Sequence, residues 1–198
     1  MTGEDATSPD VLLLGADSAG GRALVRLAQE RALVVCLSEA PAADLDEDAV
    51  ERAFSLVAEV PAPLAVVQVV VVPAERDGLD ALTLDAWQRG VTSGLRSAFL
   101  LARRAVEEFL GGGRGGRIVH LFDVPGTCAV SDVTQTALLA LVRSVAKEYG
   151  PKGITCNAVL ADLREERRAR EAAEAVLMMA TPEGAYVTGE LLVLPGRA

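Results

Sequence analysis

The sequence predicts an α/β domain, a doubly wound parallel sheet with helices on both faces. Short, nearly unbroken apolar runs occur at 11–14, 32–37, 64–72, 116–122 and 154–161, the pattern of strands buried on both sides. Longer segments with apolar residues at helical spacing lie between them, so strand and helix alternate along the chain. The composition agrees, with 51% hydrophobic and only 4% aromatic residues. At 198 residues the chain makes a single domain over 1–198 with room for a full core. Residues 1–9 are small and polar and read as a flexible N-terminus.

Each element has its own warrant. After the first strand, Gly15-Ala16-Asp17-Ser18-Ala19-Gly20-Gly21 opens a helix that runs to about Arg31. Glycines at this place let a backbone approach a dinucleotide pyrophosphate, which a helix N-terminus favours. Gly15 and Gly21 equally serve close packing of helix on strand. The second strand, 32–37, is followed by Glu39, placed where an acid would hold an adenosine ribose. Asp46 or Asp48 caps a helix over 46–56. Pro61-Ala62-Pro63 connects to the strand at 64–72, and Thr83 opens a long helix to about Leu110. Gly94 lies inside that helix, where glycine costs about 0.5–1 kcal/mol relative to alanine, and marks close helix packing.

GRIVHLF, residues 116–122, is a strand closed by the turn Asp123-Val124-Pro125-Gly126. Over 131–149 the apolar residues Val133, Ala137, Leu138, Leu141, Val142, Val145 and Ala146 make a helix that Gly150-Pro151 stops. ITCNAVLA is the next buried strand. The last helix covers 164–180, with the arginines of 164–170 on its solvated face, and 186–196 is the terminal strand.

Charge and cysteine usage exclude several classes. A net charge of −9 and a pI near 4.7 leave no basic footprint for nucleic acid or an anionic membrane. Cys36, Cys128 and Cys156 are few, widely spaced and odd in number, and two lie in strands, which suits buried thiols better than ligands or a disulfide. No metal-ligand spacing, signal peptide or membrane span is visible, and a cytoplasmic location is expected. His120, the one histidine, sits mid-strand with no nucleophile to serve and reads as a buried structural residue.

The segment GRIVHLFDVPGTCAVSDVTQTALLALVRSVAKEYGPKGITCNAVLA, the ending Tyr186-Val187-Thr188-Gly189-Glu190, and Thr83-Leu84-Asp85-Ala86-Trp87 together resemble the short-chain dehydrogenase/reductase family, and its β-ketoacyl-carrier-protein reductase-like members most. The likeness covers nearly the whole chain. It implies a Rossmann-type fold with a 3-2-1-4-5-6-7-like strand order. A helix and the third strand normally precede the next helix; here the chain passes directly through Pro41-Ala42-Ala43-Asp44-Leu45, so the third strand is reduced or missing. Asp44 corresponds to the family's adenine-contacting Asp.

The resemblance also locates a catalytic site that this chain has altered. The family's Tyr falls on Ser131, its Lys on Gln135, its Ser on Asp123 and its relay Asn on Gly94. Its Asn-Asn-Ala-Gly becomes Val72-Pro73-Ala74-Glu75, its Pro-Gly becomes Ala161-Asp162, and its mobile cover is absent. The only lysines, Lys147 and Lys152, lie with Tyr149 at the far end of the 131–149 helix, roughly 18 Å away at 1.5 Å per residue. Asp123 and Ser131 lack a histidine between them to activate the hydroxyl.

Two functions follow. One is a non-catalytic, pseudoenzyme subunit that binds no cofactor and pairs with itself or with an active family reductase, through helices 85–110 and 131–149 and the C-terminal helix and strand. The other is a divergent NAD(P)-dependent oxidoreductase, with Gly15, Gly21, Glu39 and Asp44 holding the cofactor. A ligand sensor using the altered cleft is a third possibility, for which no residue specifies a ligand.

Overall fold

The computed structural model describes residues 10–39, 45–58, 65–71, 78–123 and 128–194. In chain order the elements are β1 (Val11–Leu14), α1 (Ala19–Glu30), β2 (Val35–Leu37), α2 (Glu47–Ser55), β3 (Ala65–Val71), α3 (Leu84–Gly112), β4 (Gly116–Asp123), α4 (Ala129–Tyr149), β5 (Ile154–Ala161), α5 (Glu166–Ala180) and β6 (Leu191–Val193). The six strands form one parallel sheet in the order β2-β1-β3-β4-β5-β6. This is the expected doubly wound order without its third strand among the described residues. The order reverses between β1 and β3, so the crevice beyond their C-terminal ends is where such a fold places a ligand.

Alternate residues of the central strands feed two cores. Leu12, Val66, Ile118 and Phe122 face α2, α3 and α4, where Phe54, Leu101, Phe109 and Leu138 meet them. Val11, Leu13, Val67 and Leu121 face α1 and α5, against Leu24, Leu27, Val176 and Leu177. Burial on both faces explains why the strands carry continuous apolar runs. Arg170 donates to both carboxylate oxygens of Glu30 (3.0 and 2.8 Å), tying α5 to α1.

Helix boundaries follow capping chemistry. Ser18 Oγ accepts Gly21 N–H at 2.9 Å, Asp46 Oδ1 accepts Ala49 N–H at 2.7 Å, and Thr83 Oγ1 accepts Ala86 N–H at 3.2 Å, each supplying an orphan amide of a first turn. Helix α4 starts two residues before the expected 131, at Ala129, and three other boundaries depart from expectation. β2 begins at Val35 because Ala32 closes α1 in the left-handed region (φ 55°). α5 begins at Glu166, since Asp162 and Arg164 pair in the preceding turn, and Arg168, expected on the solvated face, is buried.

The third departure is the terminal strand, expected over 186–196, which begins only at Leu191 and covers Leu191–Val193, with 195–196 outside the described residues. Tyr186, expected inside it, is 97% exposed. Buried Asn157 of β5 accounts for this by donating to Val187 O (2.8 Å) and accepting Glu190 N–H (3.2 Å), while Gly189 turns at φ 80°. The backbone of 187–190 is thereby held in a turn until Leu191 can pair with Ala158. No helix among the described residues is long and apolar enough to cross a membrane.

Candidate functional site

At the reversal of strand order, Gly15 leaves β1 with φ 82°, a conformation that glycine adopts without steric penalty. Ser18 follows as the N-cap of α1; its hydroxyl donates to Gly15 O at 2.7 Å and accepts from Gly21 N. A Cβ on Gly21 would lie 2.2 Å from Gly15 O, so the close approach of α1 to the turn after β1 requires glycine at 21. A Cβ on Gly20 would meet Leu163 Cδ1 at 2.6 Å and Leu121 Cδ2 at 2.9 Å. Asp17, in the same turn, is exposed.

Farther along the crevice, β4 and β5 end side by side, Asp123 opposite Ala161. Asp123 Oδ1 accepts the backbone N–H of Leu163 at 3.0 Å. Burial raises the Asp123 pKa above the usual carboxylate range, the Leu163 hydrogen bond lowers it, and nearby Asp162 raises it further. Asp162 itself is held low by the Arg164 guanidinium, whose Nε lies 2.8 Å from Oδ1. Leu163 is 1% exposed, so the segment after β5 is pinned down with its side chain against α1.

Ser131 is buried at the start of α4, in a reciprocal capping box with Cys128. Its N–H donates to Cys128 Sγ (3.4 Å), and its hydroxyl accepts Cys128 N–H (2.9 Å) and donates to Cys128 O (2.9 Å). Gln135 lies one turn on and is half-buried, and Gly94 is buried on α3. One turn before it, a Cβ on Gly90 would sit 2.4 Å from Val130 Cγ1 of α4, so the two helices approach closely there.

The remaining sequence-derived residues are scattered. Lys152 Nζ stands 5.5 Å from the centroid of Tyr149, both at the end of α4 remote from Ser131, as expected. Glu39 is exposed, beside a cleft of about 540 Å³ also lined by Leu37, Ser38, Arg52 and Leu56. Asp44 and residues 72–75 lie outside the described residues. His120 is fully buried and within 3.1 Å (Nδ1) of Gln68 Oε1, and burial lowers its pKa to about 4. The three cysteines are free thiols, and burial pushes Cys156 up to about 12.

A second surface lies on the outer side of α3 and α4. A groove of about 320 Å³ runs between them, lined by Phe99, Val106, Leu110, Leu141, Val145 and Tyr149 among others, with Arg103, Glu107 and Glu148 at its edge. Phe99 is 49% and Leu110 41% exposed. Sequence reasoning identified the two helices but missed Cys128, Gly90, Leu163 and Asn157. Only the Asn157 position is announced locally, by the ITCNAVLA wording. The others depend on contacts between elements distant in sequence.

Residues 11–167 match a family model described as enoyl-(acyl carrier protein) reductase. The 3-oxoacyl-[acyl-carrier-protein] reductase FabG of Vibrio harveyi is 27% identical over 140 residues, covering 57% of each chain. A 3beta-hydroxysteroid dehydrogenase of Mediterraneibacter gnavus is 30% identical over 178 residues, covering 75% of this chain and 63% of its own. The chain thus spans under two thirds of the length of these curated relatives. Among solved structures, a Brucella ovis short-chain oxidoreductase with partially ordered NAD superposes with a TM-score of 0.77 at 18% identity, covering 96% of this chain and 100% of its own. Acetoin dehydrogenase from Enterobacter cloacae gives 0.77 at 19% identity, covering 96% and 94%. At these identities the likeness shows the fold.

Proposed function

The chain belongs to the short-chain dehydrogenase/reductase family, and from that membership we propose that it is a non-catalytic subunit that pairs with an active reductase of the family or with a second copy of itself. The observation that carries this reading is the fate of the hydroxyl at the family's acid position. Ser131 is 2% exposed and committed to the Cys128 capping box. Asp123, at the family's Ser position, is committed to Leu163 N–H. General acid catalysis requires a proton donor within hydrogen-bond reach of the reacting oxygen, whereas the Ser131 hydroxyl and Asp123 Oδ1 are engaged with backbone. The residues at the nicotinamide end therefore do not fit hydride-transfer chemistry, and no catalytic step is assigned to them. The α3–α4 groove keeps exposed Phe99 and Leu110 beside apolar Leu141 and Val145, a surface suited to another helix pair.

The second reading is a divergent NAD(P)-dependent oxidoreductase acting on a carbonyl or hydroxyl group. The left-handed Gly15 turn and the capped start of α1 favour it, because they would still accept a pyrophosphate. The deciding experiment is mass spectrometry of the intact complex that co-purifies with the tagged protein from its native host, followed by NADH and NADPH titration. A fixed ratio to a family member with an intact Tyr and Lys supports the subunit reading, as does a homo-oligomer that leaves nicotinamide fluorescence unchanged. Saturable cofactor binding with turnover of a carbonyl substrate overturns it.

A further inference from the structure

On the α3–α4 side of the sheet, the apolar core is interrupted by a set of polar groups. Gln68 of β3 and His120 of β4 are register partners with the same inward parity as Val66, Val70, Ile118 and Phe122. They are 1% and 0% exposed. His120 Nδ1 lies 3.1 Å from Gln68 Oε1. With that oxygen as acceptor, Nδ1 carries the proton, His120 Nε2 is a bare acceptor and Gln68 Nε2 is a double donor. Neither Nε2 has a partner among the described residues.

The helices above supply the complement. Thr134, Leu138 and Val142 follow one another at intervals of four along α4, all at 0–1% exposure, and half-buried Ser93 and buried Ser97 and Leu101 repeat that spacing along α3. Each buried line therefore changes from apolar side chains to hydroxyls in the turns nearer the helix N-terminus. The Gly90–Val130 contact brings α3 and α4 together, and Ser93 and Thr134 follow it about one turn further along each helix. Thr134 Oγ1 and Ser93 Oγ are buried and likewise have no partner among the described residues, whereas Ser97 Oγ is satisfied by Gly94 O at 3.0 Å.

We propose that these four side chains line an internal polar chamber between the sheet and the α3–α4 seam, and that it holds ordered water. An orphaned buried polar atom carries a desolvation penalty that native folds ordinarily relieve. One double donor, one bare acceptor and two hydroxyls that can play either role match the mixed hydrogen bonding of water. The set carries no net charge, which argues against a bound cation or anion. This chamber is independent of the functional reading above, since it concerns the inner side of the helices and not their outer groove.

The test is Thr134→Val in the full chain, an isosteric change at a helix site where both residues have similar propensity. If Thr134 bonds to water, removing the hydroxyl raises the unfolding equilibrium constant roughly five- to tenfold, the loss of one buried hydrogen bond. If the hydroxyl is dry and orphaned, its removal lowers that constant, and an unchanged or lowered constant overturns the proposal. Water-to-protein cross-relaxation by NMR provides the second readout. Cross-peaks from long-lived water to the Gln68 side-chain amide protons are expected, and their absence in the parent protein overturns the proposal as well.

Discussion

Asp123 Oδ1 accepts the backbone N–H of Leu163 at 3.0 Å, joining the end of β4 to the segment that leaves β5. The bond needs an acceptor and not a charge. Asp123→Asn can keep the acceptor while removing a carboxylate whose ionisation burial and neighbouring Asp162 oppose. Asn at 123 is therefore expected to leave the thermal midpoint at pH 7 unchanged or slightly raised. Asp123→Ala strands a buried N–H and is expected to lower stability by about 1–3 kcal/mol. Denaturant unfolding of both variants checks this, and equal losses would refute the acceptor role.

His120 makes the fold sensitive to acid. Burial lowers its pKa from the ordinary 6.5 to about 4, so the unfolded chain binds a proton more readily. Its contribution is complete above pH 6.5 and is lost as pH falls from 6.5 toward 4, below which both states are protonated. A difference of this size corresponds to about 3 kcal/mol. In urea titrations across pH 4–7, His120→Gln is expected to flatten the stability slope in that window, and an unchanged slope would assign it to the carboxylates.

Ser131 tests whether the altered site is structural. Its hydroxyl both accepts and donates within the Cys128 capping box, so Ser131→Ala is expected to cost about 1 kcal/mol, the usual value of a cap. Oligomeric state should be untouched. A loss of ligand binding or turnover with stability intact would instead give Ser131 a chemical role.

What could be read from residues alone tracks the range of the interactions involved. Strand and helix order was legible because burial on two faces leaves continuous apolar runs, and because Thr83 and Asp46 announce helix starts through local hydrogen bonds. That the described residues hold no third strand before α2 was legible as a shortening of the chain before Asp46. The place of Tyr186 was not, because Asn157, thirty residues earlier, holds Val187 O and shortens the final strand. The contact of Gly90 with Val130 was not legible, because periodicity alone does not say which turn of α3 meets α4. That Asp123 serves Leu163 is also invisible locally, since the partners are forty positions apart.

The outer groove of α3 and α4 yields the last prediction. Phe99, 49% exposed, and Leu110, 41% exposed, both line it, while the inner side of α3 is used by Leu101, Ala105 and Phe109. A substitution confined to the outer side should therefore separate association from folding. Phe99→Glu places a charge where a partner helix would exclude water, and an unpaired charge in a desolvated contact is strongly unfavourable. The variant is expected to keep its circular dichroism spectrum and thermal midpoint. In sedimentation velocity it should run as the free protomer, and it should no longer hold its partner in intact-complex mass spectrometry. Retention of the parental assembly by a folded Phe99→Glu protein would move the contact to another face, with the β6 edge and the exposed Tyr186 as the next surface to alter.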